Sequence, residues 1–389
     1  MTQNFRPVWA EIDLDAIRHN VRTLIGAVAA AELLAVVKAD AYGHGAVPVA
    51  RAAIEAGATW LGVALVEEGV ALRDAGIDAR ILVLSEPTPA AAAAVVAQGL
   101  TPVVYTASGI DALAQAVADA GKVEPLPVHL KVDTGMHRVG CAPDAAIALI
   151  ESIEGRSELV LEGVCTHLAV ADEPDNPYTN QQLDRFDALL AALHARSRVP
   201  PLVHAANSAG AIAHPRARFN LVRCGIAMYG IPPSAALAGR VPLRPALALK
   251  AKVSHVKPLS VGESVSYGRH FTAARDTQVA TVPVGYADGV PRNLGLVGGQ
   301  VLIGGRRRRI AGSVTMDQLL VDLSSDWAGG GPTVAVDDEV VLLGTQADAV
   351  SGVEEEITAI EWAEKLGIIS YEVTTRLGPR VPRVYLGDA

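Results

Sequence analysis

Eight short apolar runs recur along the first 230 residues: LLAVVK (33–38), LGVAL (61–65), ILVLS (81–85), TPVVY (101–105), VHLKVD (128–133), LEGVCTHL (161–168), LVHAAN (202–207) and LVRCGIAMYG (221–230). The spacers between most of them are Ala/Leu-rich with helical periodicity, as in PVARAAIEAG and PYTNQQLDRFDALLAALHARS. Continuous apolar runs separated by helices indicate parallel strands covered on both faces. Eight such βα units is the number that closes a (β/α)8 barrel. The last spacer, 208–219, is short for a helix, and an open doubly wound sheet fits the same pattern.

The period changes after Gly230. A Pro/Gly-containing connector, IPPSAALAGRVPLRP, leads into runs that alternate in period two: ALALKAKVSHVKPL, TQVATVPVGYADGV, QVLIGG, RRIAGSVTMDQLLVDL and DEVVLLG. Alternation broken by glycine-rich turns predicts a mainly β region. One helix interrupts it, beginning near Thr358 (IEWAEKLG) and stopped by Gly367. The extended WAEIDL near the start reads as a further strand of that region. The expected fold is α/β: residues 1–10 a strand joining the β domain, 11–240 a TIM-like (β/α)8 barrel, 241–389 a mainly-β domain.

Composition narrows the function. Half of the 389 residues are hydrophobic, which is ample to offset the entropy of ordering. A formal charge of −9 and 4% aromatics argue against a nucleic-acid partner, which selects basic stripes and stacking platforms. The one basic run, Arg306 to Arg309, sits between glycines and reads as a solvated hairpin or a charge-blocked edge strand. Cys141, Cys165 and Cys224 have neither zinc spacing nor an even number for a disulfide framework. Glu11 and Asp13 precede any apolar core, so no signal peptide is expected. The stretch from Ala90 to Ala97 is too short to span a bilayer. A soluble, cytoplasmic protein without a membrane partner or metal is expected.

The chemistry gathers at strand ends. Lys38 closes the first run and is followed by ADAYGHG, a glycine-bearing turn. In a barrel, the C-terminal strand ends line the active site, where a partly desolvated lysine has a lowered pKa suited to Schiff-base or proton-transfer work. Taken alone it could simply snorkel. The other strand ends carry Lys131 and Arg138 (HLKVDTGMHR), His167 (CTHLAVAD), Asn207 and Ser208 (HAANSAGA), and Arg223 with Gly225 (VRCGIAMYG). Singly these could be a core histidine, an ion-pair partner or a helix cap. Together they describe a cationic mouth with small residues after the seventh and eighth strands, where barrels commonly hold phosphate. A lysine beside a phosphate cradle suggests pyridoxal 5′-phosphate (PLP).

The segments AVVKADAYGHGA, HLKVDTGMHRVG, HAANSAGA, VRCGIAMYGI, VSYGRHF, VGYADG, VTMDQ and YEVTTRLGPRVPRVY, in this order and at this spacing, resemble the PLP-dependent alanine racemases of fold type III. The resemblance extends from WAEIDL to the last strand. It implies that Lys38 carries PLP as its Schiff base and is one of two acid/base groups. Tyr267 would be the other, reaching the opposite face of the cofactor from the partner subunit of a homodimer with shared active sites. His167 and Arg223 would link Tyr267 to the cofactor, Arg223 facing the pyridine nitrogen. Tyr42, Ser208, Gly225, Ile226 and Tyr371 would hold the phosphate. Arg138 and the Met316 backbone would receive the alanine carboxylate, and Tyr286 would narrow the entrance. Lys131 matches a lysine often carbamylated in the family, and the product D-alanine would feed peptidoglycan.

His137 and Thr315 depart from the family's commonest residues, which puts fine specificity in question rather than the reaction. Outside their motifs, Tyr267 and Tyr371 would read as ordinary packing aromatics. A barrel-type PLP decarboxylase would be expected to place an acid where Arg223 stands, and a PLP carrier would need no second domain.

Overall fold

The computed structural model describes residues 5–327, 334–348 and 351–387. The chain divides into two compact units. One comprises residues 15–41 and 45–244; the other gathers the N-terminal strand to Leu14, Tyr42–His44 and the chain from Pro245 on.

After the N-terminal strand β1 (Val8–Asp13), all eight predicted runs form strands of the first unit. They are β2 (Glu32–Val36), β3 (Trp60–Val63), β4 (Arg80–Val83), β5 (Thr101–Val104), β6 (Leu126–Lys131), β7 (Leu159–Cys165), β8 (Leu202–His204) and β9 (Leu221–Cys224). They lie in one parallel sheet, with β2 to β8 side by side in chain order and β9 against β2. The edges β8 and β9 meet through Asn220 N–H to Val203 O at 3.4 Å and Arg223 N–H to Ala206 O at 3.0 Å, so the sheet is a nearly closed barrel. This excludes the open doubly wound alternative. The last spacer is short for the predicted reason: it holds only the helix Ser208–Ala213 and a 3-10 turn, Pro215–Ala217.

The strands are mostly apolar because helices cover one face and barrel filling the other. Leu34, Leu61, Ile81 and Leu130 are completely buried, each contributing about 1.5–3 kcal/mol relative to exposure. Gly62 lets the filling close up, since a Cβ there would lie 2.5 Å from Leu34 Cδ2. The helices begin where local chemistry satisfies their first amides. Thr106, for example, caps Ala107–Asp119 by accepting from Gly109 N–H at 3.0 Å.

In the second unit β1 is an inner strand, next to the edge strand of its sheet. It pairs antiparallel with Leu247–Lys252 and parallel with Arg383–Leu386, turning Val8, Ala10 and Ile12 inward. The strand runs to Asp13, beyond the boundary expected at residue 10. The same sheet continues through Glu339–Ala347 and Gln300–Ile303 to Arg306–Arg309. A three-stranded sheet (His255–Leu259, Thr277–Val282, Leu319–Asp322) and a hairpin (Ser264–Val265 with Phe271–Thr272) enclose a small core of Leu259, Val265, Ala273, Val279 and Ala311.

Arg306–Arg309 is an edge strand, yet it is not simply solvated. Arg308 is buried with its guanidinium on the carbonyls of Ile303 and Arg306, and Arg307 pairs with Glu355 and Glu361. The predicted helix is Ala359–Leu366, capped by Thr358 and ended by left-handed Gly367. Sequence patterning anticipated only that helix; Ser370–Thr375 forms another, too short for periodicity to reveal. Among the described residues no helix is long and apolar enough to cross a membrane.

Candidate active site

Lys38 lies beyond the end of β2 rather than within it, as the first residue of the helical turn Lys38–Gly43. Ala39, Asp40, Ala41 and Tyr42 all have φ between 51° and 55°, so the turn is left-handed. L-residues resist this by about 1–2 kcal/mol each, and the surroundings hold it in place. Ala41 N–H reaches Val37 O at 2.9 Å, Glu68 Oε1 accepts from Ala39 N–H at 2.6 Å, and Asp40 Oδ1 accepts from Ala46 N–H at 2.8 Å. Burial, reinforced by Arg138 and opposed by Glu68, lowers the Lys38 pKa.

Lys131 ends β6, is buried, and donates to Leu84 O at 3.3 Å. Burial first, with Arg223, Arg138 and Lys38 adding to it against Cys165, pushes its pKa down to about 8. Arg138 is exposed on the loop that follows. Asp133 shapes that loop, accepting from Gly135 N–H at 2.9 Å and His137 N–H at 3.0 Å.

His167 follows β7 and is held by Gln182, whose amide donates to His167 O at 3.0 Å and accepts from Ala169 N–H at 2.8 Å. Its pKa is driven well down by burial and then by Arg223, Lys131, Arg138 and Lys38, so its imidazole is neutral. Arg223, in β9, is buried. It donates to His204 Nδ1 (2.6 Å), Thr166 O (2.8 Å) and Ala205 O (2.9 Å), with His167 Nδ1 at 3.3 Å. Among the described residues, none of Lys38, Lys131, Arg138 and Arg223 makes an ion pair with a carboxylate.

Asn207 caps the helix Ser208–Ala213, accepting from Gly210 N–H. Ser208 Oγ accepts from Gly225 N–H at 2.8 Å and Ala227 N–H at 3.4 Å, tying together the loops after β8 and β9. Having accepted twice, the hydroxyl keeps its own proton to donate. Gly225 therefore acts through its backbone shape, while the Ile226 amide has no acceptor among the described residues.

The remaining candidates belong to the second unit. Tyr42 and Tyr371 approach with ring centroids 6.0 Å apart. Burial raises the Tyr42 pKa to about 12, which keeps its phenol a proton donor. A Cβ on Gly43 would sit 2.3 Å from Thr374 O, so this junction requires glycine. Tyr286 and Met316 are neighbours, because the amides of Tyr286 and Ala287 bond the carbonyls of Thr315 and Met316, both at 3.0 Å. Tyr267 stands at the tip of the hairpin. Ser266 before it is held at φ 64° and ψ 175°, a region that non-glycine residues avoid, by its Oγ bonding Ser313 O at 2.6 Å. Tyr267 is 70% exposed, Met316 52% and Tyr286 41%.

Sequence reasoning missed His129 and His204, both completely buried in barrel strands beneath Arg223. The available signal was a histidine inside an otherwise apolar run, in VHLKVD and LVHAAN.

The model of the alanine racemase N-terminal domain matches residues 12–233, and that of the C-terminal domain matches 246–385. An alanine racemase of Symbiobacterium thermophilum is 50% identical over 383 residues, 98% of each chain. The alanine racemase structure from D-cycloserine producing Streptomyces lavendulae aligns with a TM-score of 0.89 at 41% identity, covering 100% of this chain and 99% of that one. That from E. faecalis aligns with a TM-score of 0.90 at 39% identity, covering 99% and 100%. By sequence along almost its whole length and by fold, the chain belongs to the alanine racemase family of PLP-dependent racemases.

Proposed function

We propose that the protein interconverts L- and D-alanine by a two-base mechanism, as a cytoplasmic homodimer with shared active sites, and supplies D-alanine for peptidoglycan. The observation that carries this reading is the barrel's group of cations without a carboxylate partner. Such a donor set suits a bound phosphate and a substrate carboxylate. The Ser208 hydroxyl, the Ile226 amide and the Tyr42 phenol would donate to the phosphate, with Gly225 shaping the loop and Tyr371 packing on Tyr42. PLP, when bound, acidifies the α C–H of the amino acid.

Lys38, with its lowered pKa, is suited to hold a proton on one side of that carbon and release it. Tyr267, delivered by the partner subunit, would serve the other side. A tyrosine acts as a base only as its phenolate, so its proton transfer relies on the cationic field of Arg223, with His167 as a neutral hydrogen-bonding link. Arg223 is a permanent donor. Facing the ring nitrogen, it would disfavour protonation there, limit delocalisation away from the α-carbon and favour return of the proton to that carbon. Arg138 and the Met316 backbone would position the alanine carboxylate, and Tyr286 would restrict side-chain size. The Lys131 amine, neutral above about pH 8, is suited to adding CO2 with loss of a proton. The resulting carbamate would turn a cation into an anion that orients Arg138.

The deciding experiment follows α-deuterium wash-in from D2O, starting from each alanine enantiomer. Exchange with inversion from both, in protein whose visible PLP band is lost on borohydride reduction, supports the reading. A colourless protein with no exchange after PLP addition refutes it.

A further inference from the structure

A line of polar groups crosses the barrel interior away from the reacting groups. Arg223 Nη1 is 2.6 Å from His204 Nδ1, His204 Nε2 is 2.8 Å from His129 Nδ1, and His129 Nε2 is 3.3 Å from Glu162 Oε2. Glu162 Oε1 is ion-paired with Arg80, whose guanidinium lies 3.8 Å over the Trp60 ring. Both imidazoles are completely buried, whereas the Glu162 side chain is 17% exposed and that of Arg80 48%.

The direction of this line follows from hydrogen-bond chemistry. A guanidinium only donates, so His204 Nδ1 must accept. The proton of neutral His204 is then on Nε2 and points at His129 Nδ1. That nitrogen accepts in turn, which leaves the His129 proton on Nε2, directed at the Glu162 carboxylate. Every donor points from Arg223 toward Glu162, and the two ends are a fixed cation and an anion.

The backbone is shaped for the chain. Between β6 and β7 the register shifts: Val128 pairs with Leu161 and His129 with Gly163, so Glu162 is the extra residue of a bulge. A bulge re-aims its side chain, and here it brings Glu162 to His129. Gly163 supplies the room, because a Cβ there would lie 2.6 Å from His129 Nδ1. Burial lowers the pKa values of both histidines, His204 further through Arg223 and His129 against the pull of Glu162. Glu162 is held below the usual carboxylate range, since the His129 and Arg80 contacts outweigh its burial.

We propose that Glu162 is the counter-charge of Arg223, conveyed across the barrel by two neutral Nε2–H imidazoles, and that His204, His129 and Glu162 are positioning residues fixing the orientation and field of Arg223. The consequence for PLP rests on the reading that Arg223 faces the cofactor ring; the hydrogen-bond direction does not.

Two measurements test it. In full-length protein labelled with 15N-histidine, both rings should be neutral, protonated on Nε2, and should not titrate between about pH 6 and 9. A titrating ring, or a proton on Nδ1 of either, overturns the proposal without any variant needing to fold. In PLP-loaded Glu162→Gln, removal of a charge some four groups away should lower the pH midpoint of the visible PLP band by about half a unit, with the band retained. A midpoint equal to that of the parent protein overturns the electrostatic role. If the parent protein carries no PLP band, the functional reading fails while the histidine result still decides the chain.

Discussion

The two units present their candidate residues in opposite ways. In the barrel, Lys131 and Arg223 are buried, their hydrogen bonds are made within the barrel, and among the described residues neither cation is in direct contact with a carboxylate. In the β unit, Tyr267 and Met316 project into solvent from strained or tightly bonded loops. One set is preorganised by burial, and its charge calls for an anion. The other is preorganised by its backbone and stays exposed in its own chain. Electrostatic groups work best in a dry, fixed site, whereas the proposed supply of Tyr267 to a neighbouring subunit requires it to be exposed in its own.

The comparison predicts that losses in the barrel remove the chemistry altogether. Lys38→Ala should reduce racemisation by at least about 10⁴-fold and abolish the borohydride-sensitive band, with the thermal transition retained. Tyr267→Phe should reduce racemisation by about 10²–10⁴-fold while the band remains, because Tyr267 is not among the residues proposed to hold PLP. Deuterium exchange without inversion should persist from the enantiomer whose proton Lys38 handles. Full racemisation in Tyr267→Phe would falsify the two-base division between the units.

Burial in the barrel has a cost that the exposed half lacks, and it can be read as pH dependence. Burial pushes the Lys131 amine down to about 8 in the folded chain from an ordinary 10.5. Between these values the unfolded chain binds the proton and the folded one does not, so stability rises with pH across that window. The rise is about 3 kcal/mol and is complete above pH 10.5; below 8 the penalty is constant. The buried thiols Cys141, Cys165 and Cys224, whose pKa values are pushed up, oppose this trend above pH 9. The rise should therefore appear in CO2-free denaturant titrations as the pH-dependent difference between the parent protein and Lys131→Met. Parallel curves for the two proteins would place the Lys131 amine in a wetter setting than its burial indicates.

The sequence disclosed the barrel because burial on two faces leaves a continuous apolar run, and it disclosed the β unit because burial on one face leaves alternation. The candidate residues were legible as polar residues at the ends of such runs. The left-handed turn after Lys38 was not, since Ala-Asp-Ala-Tyr has no glycine to announce positive φ, and only Glu68, Asp40 and the fold around them hold it. The bulge at Glu162 was equally hidden, because register is a property of two strands and neither LEGVC nor VHLKV contains it alone. The short helix bearing Tyr371 has too few residues for a period.

The smallest effect separates the two kinds of backbone strain. Ala39 (φ 52°) is exposed and its side chain is a bare methyl. Ala39→Gly should therefore relieve the left-handed penalty with no bond lost, a gain of about 0.5–1 kcal/mol after the greater unfolded-state entropy of glycine. Ser266 is different, because its Oγ bonds Ser313 O. In Ser266→Gly the loss of that bond, about 1 kcal/mol, offsets the relief, and the net change should be near zero. Denaturant midpoints of the two variants measure the contrast. Destabilisation by Ala39→Gly would mean that the methyl supports the turn, so that the barrel's lysine is aimed by local packing as well as by the hydrogen bonds of Glu68 and Asp40.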